Sequence, residues 1–165
     1  MEPVKGKAWV YGDDINTDVI FPGRYLNITD AQEMAEHAME DLDTEFRNNV
    51  QQGDIVVGGK NFGCGSSREQ AATCLKHAGV GAIIAKSFAR IYYRNAINLG
   101  IPILVSDEAP DKIEKGDELE VDLENGTIKN FTKDETFEVK PLPEFILGII
   151  KDGGLIPNLK KKLGT

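Results

Sequence analysis

Two serines and an arginine follow closely spaced glycines in the stretch Gly59-Lys-Asn-Phe-Gly-Cys-Gly-Ser-Ser-Arg-Glu-Gln-Ala71. A helix expected from about Ser67 to His77 would aim its unpaired first-turn N–H groups at whatever the glycine turn holds. Ser66 with Glu69, and Ser67 with Gln70, have capping-box spacing. Gly63 and Gly65 would let a ligand come close to the backbone, and Arg68 adds a planar fork that matches a carboxylate or a phosphate. Together these residues describe a small-anion site; a plain capped strand-to-helix turn would use the same residues. Familiar phosphate patterns fit poorly. Arg68 stands where a dinucleotide fingerprint counted from Gly63 and Gly65 needs its third glycine. The near miss for a P-loop through Gly53, Gly58, Gly59 and Lys60 slips by one, with Asn61 in place of Ser or Thr.

Cys64 is the other reactive side chain of the stretch, and a helix N-terminus can activate a thiol. It lacks a partner base: His77 falls at the far end of the same helix and His37 in a different one. Cys74, one turn above Gln70, reads as core. Two cysteines without CxxC or Cys/His spacing support neither a zinc site nor a self-contained iron–sulfur site, and they point to a reduced, cytoplasmic chain. Asp13, Asp14 and Asp18 form a carboxylate group that also fits turn and cap roles; the further oxygen ligands of a metal loop are absent from its spacing. Arg90 and Arg94 lie one helical turn apart and suit the cleft, solvent or a partner equally.

Positioning these residues is work for a strand-helix alternation. Asp54-Ile-Val-Val57, Ala82-Ile-Ile-Ala85 and Ile101-Pro-Ile-Leu-Val105 read as strands, separated by the helix to His77 and one from Phe88 to Asn98. That order predicts a parallel layer with right-handed crossovers. Before it come a strand at Lys7-Ala-Trp-Val-Tyr11, an apolar piece at Asp18-Val-Ile-Phe21, and a helix from Ala31 to about Phe46 capped by Asp30. After it, residues 118–123, 126–129 and 136–139 read as short antiparallel strands with a hairpin signal at Glu124-Asn-Gly126, then a short helix from Phe145 to Lys151. The basic tail Lys160-Lys-Lys162 reads as solvated. The 165 residues suit one domain, 1–165. A net charge of −8 argues against nucleic acid as the main partner. No leader-like segment is read at the start, and the apolar runs are too short to cross a membrane.

The stretch Asn61-Phe-Gly-Cys-Gly-Ser-Ser-Arg-Glu-Gln-Ala71 resembles the serine loop in the swivel domain of the aconitase family. Tyr11-Gly-Asp-Asp-Ile-Asn-Thr-Asp18, with Ile20-Phe-Pro22 after it, resembles that family's N-terminal Asp-rich segment. Ala85-Lys-Ser-Phe-Ala-Arg-Ile91 with Asn95, Gly100 and Pro102 resembles its next strand and helix. The three stand in the family's order, and the chain's length resembles that of the separate small subunits of the isopropylmalate isomerase branch. Gln70 departs from the pattern, since many members carry His there.

The resemblance implies an α/β fold: a swivelling β/β/α domain with a mostly parallel central sheet layer and a short antiparallel C-terminal region. It implies Ser66 as the base that takes a proton from the carbon next to a leaving hydroxyl. Arg68 would hold a substrate carboxylate with Ser67 beside it, and Asp13 would be an active-site aspartate. Arg24, Tyr25, Leu26, Asn27, Ile28 and Thr29 would form the loop that reads the variable side of a small hydroxy-carboxylate. No cofactor is expected in this chain; a [4Fe–4S] cluster held by three cysteines is expected in a large partner subunit, without which the chain would be inactive. Homoaconitase-like members often carry an arginine after Tyr-Leu. Asn27 and Ile28 here favour an alkyl malate, the isopropylmalate of leucine biosynthesis, over homocitrate or homoaconitate; 2,3-dimethylmalate fits as well. A non-catalytic anion-binding regulatory module is the reading from a different class, because folds are reused.

Overall fold

The computed structural model describes residues 2–164. Strand β1 (Val4–Val10), helix α1 (Thr17–Ile20) and a 3-10 turn (Gly23–Tyr25) lead into α2 (Ala31–Ala35) and α3 (Phe46–Asn49). Then β2 (Ile55–Val57), α4 (Gln70–His77), β3 (Ala82–Ala85), α5 (Arg90–Asn98) and β4 (Ile103–Val105) alternate. After α6 (Ala109–Lys112), the strands β5 (Glu118–Asp122), β6 (Thr127–Asn130) and β7 (Glu135–Glu138) form a meander, and α7 (Glu144–Lys151) and α8 (Leu155–Lys162) follow. All seven strands belong to one sheet, ordered β4-β3-β2-β1-β5-β6-β7. The pairings from β1 to β4 are parallel. Those from β1 through β5 and β6 to β7 are antiparallel. The expected parallel layer and antiparallel tail are both present, and β1 is the strand that joins them.

Residue types explain the two halves. β2 and β3, Ile-Val-Val and Ala-Ile-Ile-Ala, are buried along their whole length, as strands covered on both faces must be. β5 alternates, with Leu119 and Val121 buried between more exposed acidic residues, the pattern of a sheet covered on one face. The seam at β1 is pinned by Asp54. Its buried carboxylate accepts the N–H of Lys7 (3.0 Å), the indole N–H of Trp9 (2.9 Å) and the N–H of Gln51 (2.9 Å). Gly6 makes the close approach possible, because a Cβ there would lie 2.2 Å from the Gly53 carbonyl oxygen.

Two expectations need correction, and one element was not expected. The helix expected over residues 31–46 is broken: α2 ends at Ala35, turns follow, and α3 starts only at Phe46. The buried Met39 adopts φ +59° and donates its N–H to Ile20 O (2.8 Å), a left-handed position that no helix continues through. Asp30 does cap α2, accepting the Gln32 N–H. The helix expected from Ser67 begins at Gln70, and its N-cap, Glu69, makes no side-chain cap bond. The capping boxes from Ser66 and Ser67 therefore do not form. Gly63 and Gly65, at φ +83° and +103°, keep the chain turning there. Finally, the basic tail forms α8, with Pro157 in its first turn, where a missing N–H costs nothing; its lysines are exposed, as solvation requires.

Candidate active site

The segment after β1 and the loop after β2 run side by side, tied backbone to backbone. Gly59 N–H donates to Gly12 O (2.9 Å), Asp14 N–H to Lys60 O (2.8 Å), Gly63 N–H to Ile15 O (2.7 Å) and Thr17 N–H to Cys64 O (2.8 Å). Side chains reinforce the pairing: Asp13 Oδ1 accepts the Lys60 N–H (2.7 Å) and Asn61 Nδ2 donates to Asp14 (3.1 Å). This layer lies beyond the carboxyl ends of parallel strands, where open α/β sheets bind ligands. From below, α5 supports it. A Cβ on Gly63 would lie 2.2 Å from the ring of buried Tyr92, whose hydroxyl donates to Ala71 O (3.0 Å). Phe62 packs edge-on against both Tyr92 and Phe88.

On this platform Ser66 and Ser67 are exposed. Ser66 Oγ lies 3.2 Å from the hydroxyl of Thr17. Arg68 Nη1 donates to Asp18 Oδ1 (2.9 Å) and to Phe21 O (3.2 Å). The same Asp18 oxygen accepts the N–H of Gly23 (3.0 Å), the first residue of the 3-10 turn. The Arg68 guanidinium, and next the Gly23 N–H, hold the Asp18 carboxyl below the usual carboxylate range. Asp18 thus joins the arginine to the 24–29 loop. In that loop Arg24 forks onto Asp41 (2.9 and 2.6 Å) and reaches Glu40 (2.9 Å). It also lies 4.8 Å above the Tyr25 ring, and Tyr25 stacks on His37 with centroids 3.8 Å apart. Leu26, Asn27 and Thr29 are exposed, while Ile28 packs against the core.

Ser66 and Arg68 are therefore brought onto neighbouring residues of one short segment, Thr17 and Asp18. Asp13 bonds to loop backbone rather than to either of them, and the Arg24 charge is matched by the chain's own acids. Thr17 as a partner of Ser66 was not foreseen, and Asp18 was read only as a member of an Asp-rich segment, with no link to Arg68. No local spacing could reveal either contact, since they join residues 49 and 50 positions apart.

The donor set of this chain does not suit an iron–sulfur cluster. Cys74 is buried, its thiol shared between Ile20 O and Ala71 O and its pKa pushed up by burial. Among the described residues no three His, Cys, Asp or Glu side chains group as metal ligands. Neither histidine serves Cys64 as a base: His37 pairs with Glu40 (3.2 Å) and His77 with Gln32 (3.2 Å). Arg90 and Arg94 are exposed and form no ion pair among the described residues. No helix among them is long and apolar enough to cross a membrane.

A parallel layer with a serine loop at its carboxyl edge defines a class. Residues 13–108 match the Aconitase C-terminal domain family. Within it, the chain is 62 % identical to the 3-isopropylmalate dehydratase small subunit of Caldicellulosiruptor bescii, over 96 % of each protein. It is 59 % identical to the protein of that name from Caldanaerobacter subterraneus subsp. tengcongensis, over 97 % of this chain and 99 % of the other. The crystal structure of 3-isopropylmalate dehydratase from Methanocaldococcus jannaschii superposes with a TM-score of 0.93 at 45 % identity, covering 98 % of this chain and 95 % of that one. The chain belongs to the Aconitase C-terminal domain family, in its branch of 3-isopropylmalate dehydratase small subunits.

Proposed function

We propose that the chain acts in the cytoplasm as the small subunit of a 3-isopropylmalate dehydratase, serving leucine biosynthesis by lending a proton-transfer serine and a carboxylate-binding arginine to a large subunit. The reaction is the reversible loss and re-addition of water that moves a hydroxyl between adjacent carbons of isopropylmalate. The observation that carries this reading is the exposed Ser66 hydroxyl two residues from an Arg68 guanidinium anchored on Asp18.

In this mechanism Ser66 takes the proton from the carbon next to the leaving hydroxyl. Serine is too weak an acid to lose its own proton in water, so its alkoxide needs preorganised donors and positive charge. Arg68 supplies a fixed charge nearby. It engages Asp18 through Nη1, which leaves N–H groups of its fork to hold a substrate carboxylate, with Ser67 beside it. Asp13 keeps the entrance of the serine loop in place through the Lys60 N–H. Arg24 and Tyr25 fasten the specificity loop to Asp41, Glu40 and His37. With the Arg24 charge so neutralised, Leu26, Asn27, Ile28 and Thr29 offer the variable side of the substrate a surface without free charge, which suits an alkyl group. A [4Fe–4S] cluster in the large subunit would supply the Lewis acid that lets hydroxide depart.

The test is anaerobic hydration of isopropylmaleate by this chain with a reconstituted large subunit. Turnover should need both chains, and Ser66→Ala should lose at least about 100-fold, as expected for a proton-transfer residue. Robust turnover by Ser66→Ala would overturn the base assignment. Activity only on homoaconitate or dimethylmaleate would move the substrate, and silence on all three would favour an anion-binding module.

A further inference from the structure

Thr17 is buried, at 2 % exposure, and the only hydrogen-bond partner of its hydroxyl among the described residues is Ser66 Oγ at 3.2 Å. Local structure does not need that hydroxyl. The cap of α1 is Asn16, whose side chain accepts the Val19 N–H. Thr17 itself is held by its backbone, through its N–H to Cys64 O and through Phe21 N–H to its own carbonyl. The loop is shaped to let the two hydroxyls meet: a Cβ on Gly65 would already press on Thr17 Oγ1 at 3.2 Å. A buried hydroxyl with one partner is a directional device, because its alternative is an unsatisfied polar group in the interior.

We infer that Thr17 is a positioning residue for the reaction, orienting the Ser66 hydroxyl and donating its own proton in a hydrogen bond to the Ser66 oxygen when that oxygen is the base. This rests on the assignment of Ser66 given above. In the neutral state either hydroxyl can donate. Once Ser66 has lost its proton it can only accept, so the Thr17 O–H becomes the donor and the bond becomes charge-assisted, roughly twice as strong as a neutral one. Thr17 thereby favours the basic form of Ser66 without touching the substrate.

The experiment compares wild type, Thr17→Val, Thr17→Ser and Ser66→Ala in the assembled two-subunit enzyme, with kcat and KM on isopropylmaleate and urea unfolding of each small subunit. Valine fills the same space without the hydroxyl; serine restores the hydroxyl without the methyl group. The expected result is a kcat for Thr17→Val lower by roughly 100-fold, the low end of what losing one donor to a developing oxyanion costs. KM should stay near wild type, and Thr17→Ser should recover most of the rate. A Thr17→Val enzyme near wild type in kcat, beside an inactive Ser66→Ala, overturns the role of Thr17 alone. Equal losses in Thr17→Val and Thr17→Ser, tracking a fall in the urea midpoint, overturn it in favour of packing. Full activity in Ser66→Ala overturns the serine assignment and this inference together. Should valine prevent folding, Thr17→Ala with Thr17→Ser carries the same comparison.

Discussion

Asp54 and Asp18 each gather N–H donors from distant parts of the chain, yet they do different work. Asp54 is 4 % exposed and satisfies three donors at the seam between β1 and β2. The Asp18 side chain is 66 % exposed and holds Arg68 and the start of the 24–29 loop. Burial is what separates them. A buried carboxylate that disappears leaves orphaned donors that water cannot reach, so the fold suffers. An exposed one is replaced by water, so its loss appears in what it orients.

The largest effect should come from the buried member. Asp54→Ala strands the Lys7, Gln51 and Trp9 donors and should cost about 3–5 kcal/mol in urea unfolding; a loss under about 1 kcal/mol would break the contrast. The same logic of contact against open space extends to two glycines of the site layer. Gly63→Ala forces a side chain into the Tyr92 ring at a left-handed position and should cost about 2–4 kcal/mol. Gly12→Ala meets nothing within 4 Å and should stay within about 0.5 kcal/mol of wild type. Asp18→Asn comes next: its urea midpoint should match wild type, while KM in the assembled enzyme rises about tenfold as Arg68 loses its anchor. An unfolded or kinetically silent Asp18→Asn would erase the distinction.

The smallest effect is that of pH. The folded pKa of Asp18 lies below its unfolded value, so its link to Arg68 is complete above the ordinary carboxylate range. The link is lost only as pH falls through the lowered folded value. An acid rise in KM that is present in wild type and missing in Asp18→Asn is the expected signature. Asp117 has the same sign: burial opposes its charge, but the Glu114 N–H, Asn130 and Lys133 outweigh it. Its contribution should fade on acidification as a loss of stability, seen as a falling urea midpoint that Asp117→Asn no longer shows.

The alternation from residue 54 to 105 was legible because its strands are uninterrupted apolar runs and its helices are bounded by Gly79 and Gly100, both at positive φ. The serine loop was legible as a place but not as a geometry. Ser66 and Arg68 look like the cap and first turn of a helix until Thr17 and Asp18, far away in sequence, claim their side chains. Arg24 was legible as a member of a loop but not its partners: Asp41 and Glu40 reach it from a segment whose helical pattern hides the break at Met39. Nothing in residues 155–162 advertised α8, since its proline and its lysine run both argue locally for a loose tail.

The side-by-side pairing of the 12–17 segment with the 59–66 loop has a kinetic consequence. Contacts of Asp13, Thr17 and Asp18 with that loop span 47, 49 and 50 residues. Closing loops of that size has an entropic cost that the short site contacts alone cannot offset. The pairing therefore waits for β1 to dock beside β2, and it forms as the continuation of that docking. A chain caught earlier in folding can hold α4 and α5 while Ser66 still lacks its Thr17 partner. The finished loop arrives together with the sheet, as one event, so a partner that recognises that loop meets only chains that have completed their central strands.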